Sequence, residues 1–295
     1  MFQHSGISRT RLYATLIFAL VVMSFASIMI KLADAPAHII AAWRLCLATL
    51  FLTPWILWTS RPQLRALKPN WPWVLLSGVM LAIHFATWIW SLSFTSVASS
   101  MVLVTTNPLF VGLGSYFFLK EKPSKALMIG IVISVVGGVF IGIGDFQASG
   151  MALFGDFLAL MGALTASAYF LIGRRLRGQT NLGPYIFLVY GVSAIILLII
   201  ALFSGDPLFD YSTETFILFV LLALGPQLIG HSTLNWSLKY LSAGAVAVAT
   251  LSEPIGSSIF AYFILGEELT LSTIIGGSLI LIGVYFALRN EAIKT

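Results

Sequence analysis

The sequence predicts an all-α integral membrane protein, with ten transmembrane helices arranged as two inverted five-helix repeats around a central cavity. Three observations predict it. Of 295 residues, 59% are hydrophobic and only 9% charged, and the mean hydropathy is +0.98. A soluble domain carries about 25% charged residues, so the bilayer must be the solvent. Next, residues 84–140 slid along the chain by 146 positions without a gap give 15 identities in 57 pairs, where chance gives roughly five. The matches include Trp90 with Trp236, Ser91 with Ser237, Pro108 with Pro254, Tyr116 with Tyr262, Glu121 with Glu267, Gly130 with Gly276 and Gly137 with Gly283. Finally, each half holds about five apolar segments, an odd number, so the second half must enter the bilayer upside down. The repeats divide the chain at 1–147 and 148–295.

A helix needs about 20 mainly apolar residues to cross the hydrocarbon core. The runs that meet this need are 12–31, 37–58, 72–93, 97–119, 126–144, 153–173, 184–204, 214–238, 243–265 and 271–288. The first follows Arg9 and Arg11 and so resembles a signal peptide, but its apolar run exceeds a signal core. Its small-residue site, Ala33-Asp34-Ala35, is followed by Pro36, and its removal would leave the first half one helix short; it is read as a retained span. The second span carries Arg44 and Cys46, the third His84, the fourth Asn107-Pro108. The fifth has small-residue spacing at Gly138 and Gly142, which suits close packing within one chain and, less well, a dimer seam. The eighth carries Pro226, Gln227, His231 and Asn235, and the ninth Glu253-Pro254.

Lysine and arginine placement orients the spans. With both termini cytoplasmic, 14 of the 16 basic residues fall inside; the exceptions are Lys31, at an outer helix end, and Arg44, within the second span. The outer loops carry Asp34, Asp145, Asp206, Asp210 and Glu214 instead. The inner Lys120-Glu121-Lys122 has as its repeat partner Gly266-Glu267-Glu268, which has lost every lysine, as an outer loop should.

Short loops leave no room for a soluble domain, and no Walker-type glycine loop is present, so ATP hydrolysis on this chain is not expected. The lone Cys46 makes neither an intrachain disulfide nor a cysteine metal site. The pI near 9.4 reflects the inner loops rather than nucleic-acid binding. No cofactor or metal is expected. HExxH, CxxC and paired intramembrane aspartates are all missing from the sequence, which argues against an integral-membrane enzyme.

These residues resemble a family. Ala42-Trp43-Arg44, Asn107-Pro108 with Phe118-Leu119-Lys120-Glu121, and Glu253-Pro254 with Ile264-Leu265-Gly266-Glu267 are similar to the EamA branch of the drug/metabolite transporter superfamily, over essentially the whole chain. The resemblance implies a basket in which helices 1, 3, 4, 6, 8 and 9 surround the cavity and helices 5 and 10 pack at the periphery. It also implies a second helix outside the cavity wall.

Among candidate site residues, Glu253 leads, because an ionisable residue in mid-span costs about 2.5 kcal/mol or more and suggests substrate contact or proton coupling. Its structural alternative is to cap backbone freed by Pro254 or to pair with Arg44. Asn107, its repeat partner, would bond substrate or satisfy carbonyls near Pro108. Arg44 reads as a structural partner first, and as a carboxylate or phosphate site second. His84 and His231 are offset by one position in the repeat, and each needs a hydrogen-bond partner in an apolar span. Gln227, His231 and Asn235 recur every four residues and share one helix face, which must look at protein or water. Pro108, Pro226 and Pro254 are candidate kinks or gating points. Trp88, Trp90 and Trp236, with Tyr169, are candidates for packing or for contact with an aromatic solute; Trp55, Trp58, Trp71 and Trp73 fit an interfacial belt.

The expected function is a secondary transporter of the cell inner (plasma) membrane that exports or equilibrates a small organic metabolite by alternating access. Apolar or aromatic amino acids are the best fit, and protons a candidate coupling ion. The alternatives are a passive facilitator or a drug exporter, a channel, a membrane enzyme and a scaffold. The expected partners are the solute and the bilayer, with no nucleic acid, and the assembly a monomer or weak homodimer.

Overall fold

A chain this poor in polar side chains must satisfy its backbone within each segment, because hydrocarbon offers no hydrogen bonds. The computed structural model describes residues 7–95, 97–143, 150–266 and 271–289, and all regular structure among them is helical. The long helical runs are α1 (Arg9–Leu32), α2 (Ala37–Thr59), α3 (Lys68–Ser91), α4 (Ser99–Leu119), α5 (Lys125–Ile143), α6 (Gly150–Arg177), α7 (Leu182–Ser204), α8 (Thr213–Ser237), α9 (Ala243–Leu265) and α10 (Leu271–Arg289), with a short helix, Arg61–Ala66, between α2 and α3. Among the described residues eight are long and apolar enough to cross a membrane; the apolar stretches of α5 and α10, Lys125–Phe140 and Ile274–Arg289, are shorter. Asp145, Glu267, Glu268 and Lys294, used above to orient the chain, lie outside the described residues.

Helix ends follow local chemistry. Ser8, Ser212 and Ser242 accept from Arg11, Thr215 and Ala245 backbone N–H groups and start α1, α8 and α9. The chain leaves α4 and α9 through left-handed residues at repeat-equivalent positions, Lys120 (φ 54) and Gly266 (φ 72). Glycine takes that conformation freely, whereas lysine pays roughly 1–2 kcal/mol for it.

Two long hairpin-like pairings frame the interior. α3 and α6 run antiparallel: Arg175 lies over the Trp73 ring at 4.5 Å, His84 Nδ1 contacts the Gly162 carbonyl at 3.0 Å, and Thr95 donates to Asp156 at 2.9 Å. α7 packs against α3 through Ser193, which donates to the Gly78 carbonyl at 2.7 Å, and through Tyr185 with Ser77 at 2.8 Å.

α5 packs on α10 through glycines. A Cβ added to Gly130 would lie 2.6 Å from the Gly283 carbonyl, and one on Gly137 would meet Gly276. Under the 146-residue offset Gly130 is equivalent to Gly276 and Gly137 to Gly283, so each glycine faces the partner of the other. Between them Ser134 donates to the carbonyl of Ile280, its own equivalent, at 3.3 Å. Crossed contacts with a self-pair at the centre are what a two-fold relation produces. Large apolar side chains such as Trp58, Phe203, Phe118 and Phe263 are 90%, 88%, 76% and 76% exposed, a surface suited to lipid rather than water.

Candidate functional site

α4 and α9 are both broken in mid-course. The first stops at Val104 and restarts at Asn107, with Pro108 in the new first turn; the second stops at Thr250 and restarts at Glu253, with Pro254 likewise. Proline lacks the N–H an interior turn needs, so a restart is where it fits best. Asn107 and Glu253, repeat equivalents, are thereby the first residues of two half-helices and point to the same place.

That place is a cavity inside the bundle. Its lining includes Met23 and Tyr169, Trp88 and Leu234, Val104 and Thr250, and Asn107 and Glu253. Each pair is separated by 146 residues, so the cavity sits on the two-fold relation between the halves. Their chemistry differs, since the second half places a tyrosine, a threonine and a carboxylate where the first has Met23, Val104 and Asn107. The space open to a water-sized sphere is about 40 Å³, enough for a few waters and too little for an organic solute. The centre of the structure therefore holds little free space.

Of the candidates from sequence, Glu253, Asn107, His84, His231, Trp88, Tyr169 and Pro226 line this cavity. Gln227 and Asn235 stand one shell behind, both fully buried. Asn235 Nδ2 donates to Tyr169 OH and, at 2.8 Å, to the His231 carbonyl. Pro108 and Pro254 are buried outside the lining. Trp90, 48% exposed, packs on Phe94 and Phe154, and Trp236 packs on Tyr240; neither reaches the cavity. α8 is π-helical from Ala223 to His231, around Pro226. Wider turns of this kind absorb a proline and often sit at functional sites.

Arg44 departs from expectation. The resemblance put the second helix outside the wall, yet this side chain, 1% exposed, lines the cavity. Nor is it paired with Glu253: the ion pairs among the described residues are His38–Asp206 and Arg174–Glu121. Its Nε donates to Gln227 Oε1 at 2.9 Å, and its guanidinium lies 4.2 Å over the Phe85 ring. Phe85 is the residue sequence reasoning missed. Its ring is 4.8 Å from His84, 5.1 Å from His231 and 6.3 Å from Trp88. The signal was available, because Phe85 is the true repeat equivalent of His231 and equivalents near a two-fold axis face each other.

Among the described residues, five buried polar atoms around this hub have no partner: Arg44 Nη1, Trp88 Nε1, Gln227 Nε2, His231 Nδ1 and Asn235 Oδ1. Among the described residues no group of three or more His, Cys, Asp or Glu is placed to hold a metal.

Comparison with known proteins agrees with this architecture. The profile of the EamA-like transporter family matches residues 11–143 and again 153–289. An uncharacterized transporter of Archaeoglobus fulgidus is 26% identical over 96% of this chain and 99% of its own length. One from Clostridium kluyveri is 29% identical over 72% of this chain and 70% of its own. A solved crystal structure superposes with a TM-score of 0.78 at 19% identity, covering 96% of this chain and 98% of that one, a likeness of fold.

Proposed function

The chain belongs to the EamA-like transporter family, and from that premise we propose that it is a ten-span secondary transporter of the plasma membrane, with two inverted repeats and cytoplasmic termini, that moves a small amphipathic metabolite by alternating access. It is a multi-pass membrane protein of the transporter kind. The observation that carries the finer reading is the small central cavity, contributed pairwise by both halves and lined by one carboxylate, Glu253, among aromatic and imidazole rings. A cavity on the axis between two inverted halves suits exposure first to one side and then to the other. Walls of Trp88, Tyr169 and Phe170 suit an apolar or aromatic amino acid, whose side chain they would bury.

In this reading Glu253 couples transport to protons, because ionisable residues within membrane spans are the groups that relay protons in transporters. A structural role has its own support, since Glu253 sits in the first turn of a half-helix, where the helix dipole stabilises a carboxylate; that would make the protein a facilitator. The test is counterflow of radiolabelled L-phenylalanine and other amino acids in proteoliposomes, wild type against Glu253→Gln, at two imposed pH gradients. Coupling predicts flux in wild type that the gradient stimulates and flux in the variant that no longer responds to it. Flux indifferent to both pH and the variant identifies a facilitator, and no flux of any amino acid overturns the substrate class.

A further inference from the structure

Arg44 is a buried cation without an anion. It is 1% exposed, and among the described residues its guanidinium has no carboxylate within 4.0 Å. Its two partners are neutral, the Gln227 amide oxygen at Nε and the Phe85 ring beneath. Both orient the guanidinium and leave Nη1 unpartnered in a cavity-lining side chain. An uncompensated buried charge is strongly destabilising, and a chain retains one where something else completes it.

The neighbouring unpartnered atoms say what that something is. Arginine only donates, so Gln227 must turn its oxygen to Arg44, which leaves its Nε2 amide free to donate. Trp88 Nε1 is a donor by chemistry and is also unpartnered. Arg44 and Trp88, two cavity-lining side chains that both meet the Phe85 ring, thus hold donors, one of them cationic, that lack an acceptor among the described residues. On the same cavity Glu253 has, among the described residues, neither a hydrogen bond nor an ion pair. One cavity therefore presents a cation with spare donors and a separate anion, the complement of a zwitterion.

We propose that Arg44 and Trp88, with Gln227 orienting the guanidinium from behind, form a cradle for the substrate's α-carboxylate, while Glu253 receives its ammonium group. This rests on the reading of the cavity as an amino-acid site, and it fixes which end of the solute lies where. Arg44 is then a selectivity residue: it rejects amines that lack a carboxylate because they leave the cradle unfilled.

The experiment is competition for L-phenylalanine counterflow in proteoliposomes by unlabelled L-phenylalanine and by L-phenylalaninol, which keeps ring and amine and lacks the carboxylate. Wild type should prefer phenylalanine by about 100-fold. Arg44→Gln should remove that preference by weakening phenylalanine about 100-fold and leaving phenylalaninol unchanged. Trp88→Phe keeps the ring and deletes only the N–H, and should narrow the preference about fivefold; it carries the test if Arg44→Gln fails to fold. Equal weakening of both ligands in the variants makes the cluster structural and overturns the proposal, as does a preference unchanged by either substitution. Strong counterflow in which wild type does not distinguish phenylalaninol from phenylalanine overturns the cradle while sparing the amino-acid reading. No amino-acid counterflow in wild type overturns both.

Discussion

The two ends of the helix bundle are tied in the same way at unequal strength. At the end of α3 near Leu92, Lys31 of α1 donates to the Leu92 carbonyl at 2.8 Å. At the opposite end of α3, marked by Trp73 and Arg175, Arg177 of α6 donates to the Asn235 carbonyl at 3.1 Å and Arg174 donates to the Leu238 carbonyl at 2.7 Å. Lys31 and Arg177 are repeat equivalents, and so are Leu92 and Leu238. Each half therefore ends its first helix in a cation that ties the end of the third helix of the same half. The difference lies in what surrounds the tie. Lys31 is exposed and makes a single bond. Arg174 is 8% exposed and also donates to Glu121 through Nε and Nη2, at 3.1 and 3.0 Å, with Arg177 buried beside it. Equivalent positions thus make unequal ties, and the denser one lies at the end where Arg174, Arg175 and Arg177 gather.

The largest effect should come from breaking the tight end. Arg174→Gln removes both bonds to Glu121 and the tie to Leu238, and should cost about 3 kcal/mol of the closed state. Repeat-equivalent reporters are available, since Ser91 and Ser237 are both fully buried, each near one end. With Cys46 replaced by serine, a cysteine at 237 should react with a maleimide about 100-fold faster in Arg174→Gln, and a cysteine at 91 should be little changed. Equal acceleration at both positions would mean global loosening, and the ends would not be separate gates.

A second substitution checks that the asymmetry belongs to the ends rather than to the seam between the halves. Gly137 and Gly283 are equivalent, and each is pressed against the other half. Alanine at either should overpack the α5–α10 contact and cost about 2 kcal/mol, read as matching drops in thermal stability in detergent. Unequal drops would show that the halves differ at the seam as well, and the comparison of the two ends would lose its baseline.

What the sequence made legible follows what repetition and proline can reveal. Eight of the expected spans and the meeting of Asn107 with Glu253 ahead of prolines came from local pattern, and the broken helices are the physical consequence of those prolines. Arg44 was harder, because helix rotation decides whether a residue seven positions inside α2 looks at lipid, protein or cavity, and α2 has nearly uniform hydrophobicity around its circumference. Gln227, His231 and Asn235 read as one stripe, yet the π-helical turn of α8 lets Gln227 reach Arg44 while His231 lines the cavity. Lys31 and Arg177 escaped notice because they are similar rather than identical, and lie outside the stretch where identities cluster.

The smallest effect is expected at the loose end, and it is the most discriminating. Lys31→Met keeps the length and apolar stem of the side chain and deletes only the ammonium that meets the Leu92 carbonyl. A hydrogen bond from an exposed lysine is worth about 1 kcal/mol, so labelling of a cysteine at 91 should rise about fivefold, with no change at 237. Because that bond is weak, the wild-type protein should already label faster at 91 than at 237, and Lys31→Met should widen the gap. If 237 labels faster in wild type, the richer bonding of Arg174 does not hold its end shut. Glu121 would then serve to anchor α4 to α6, and closure would rest on packing at both ends.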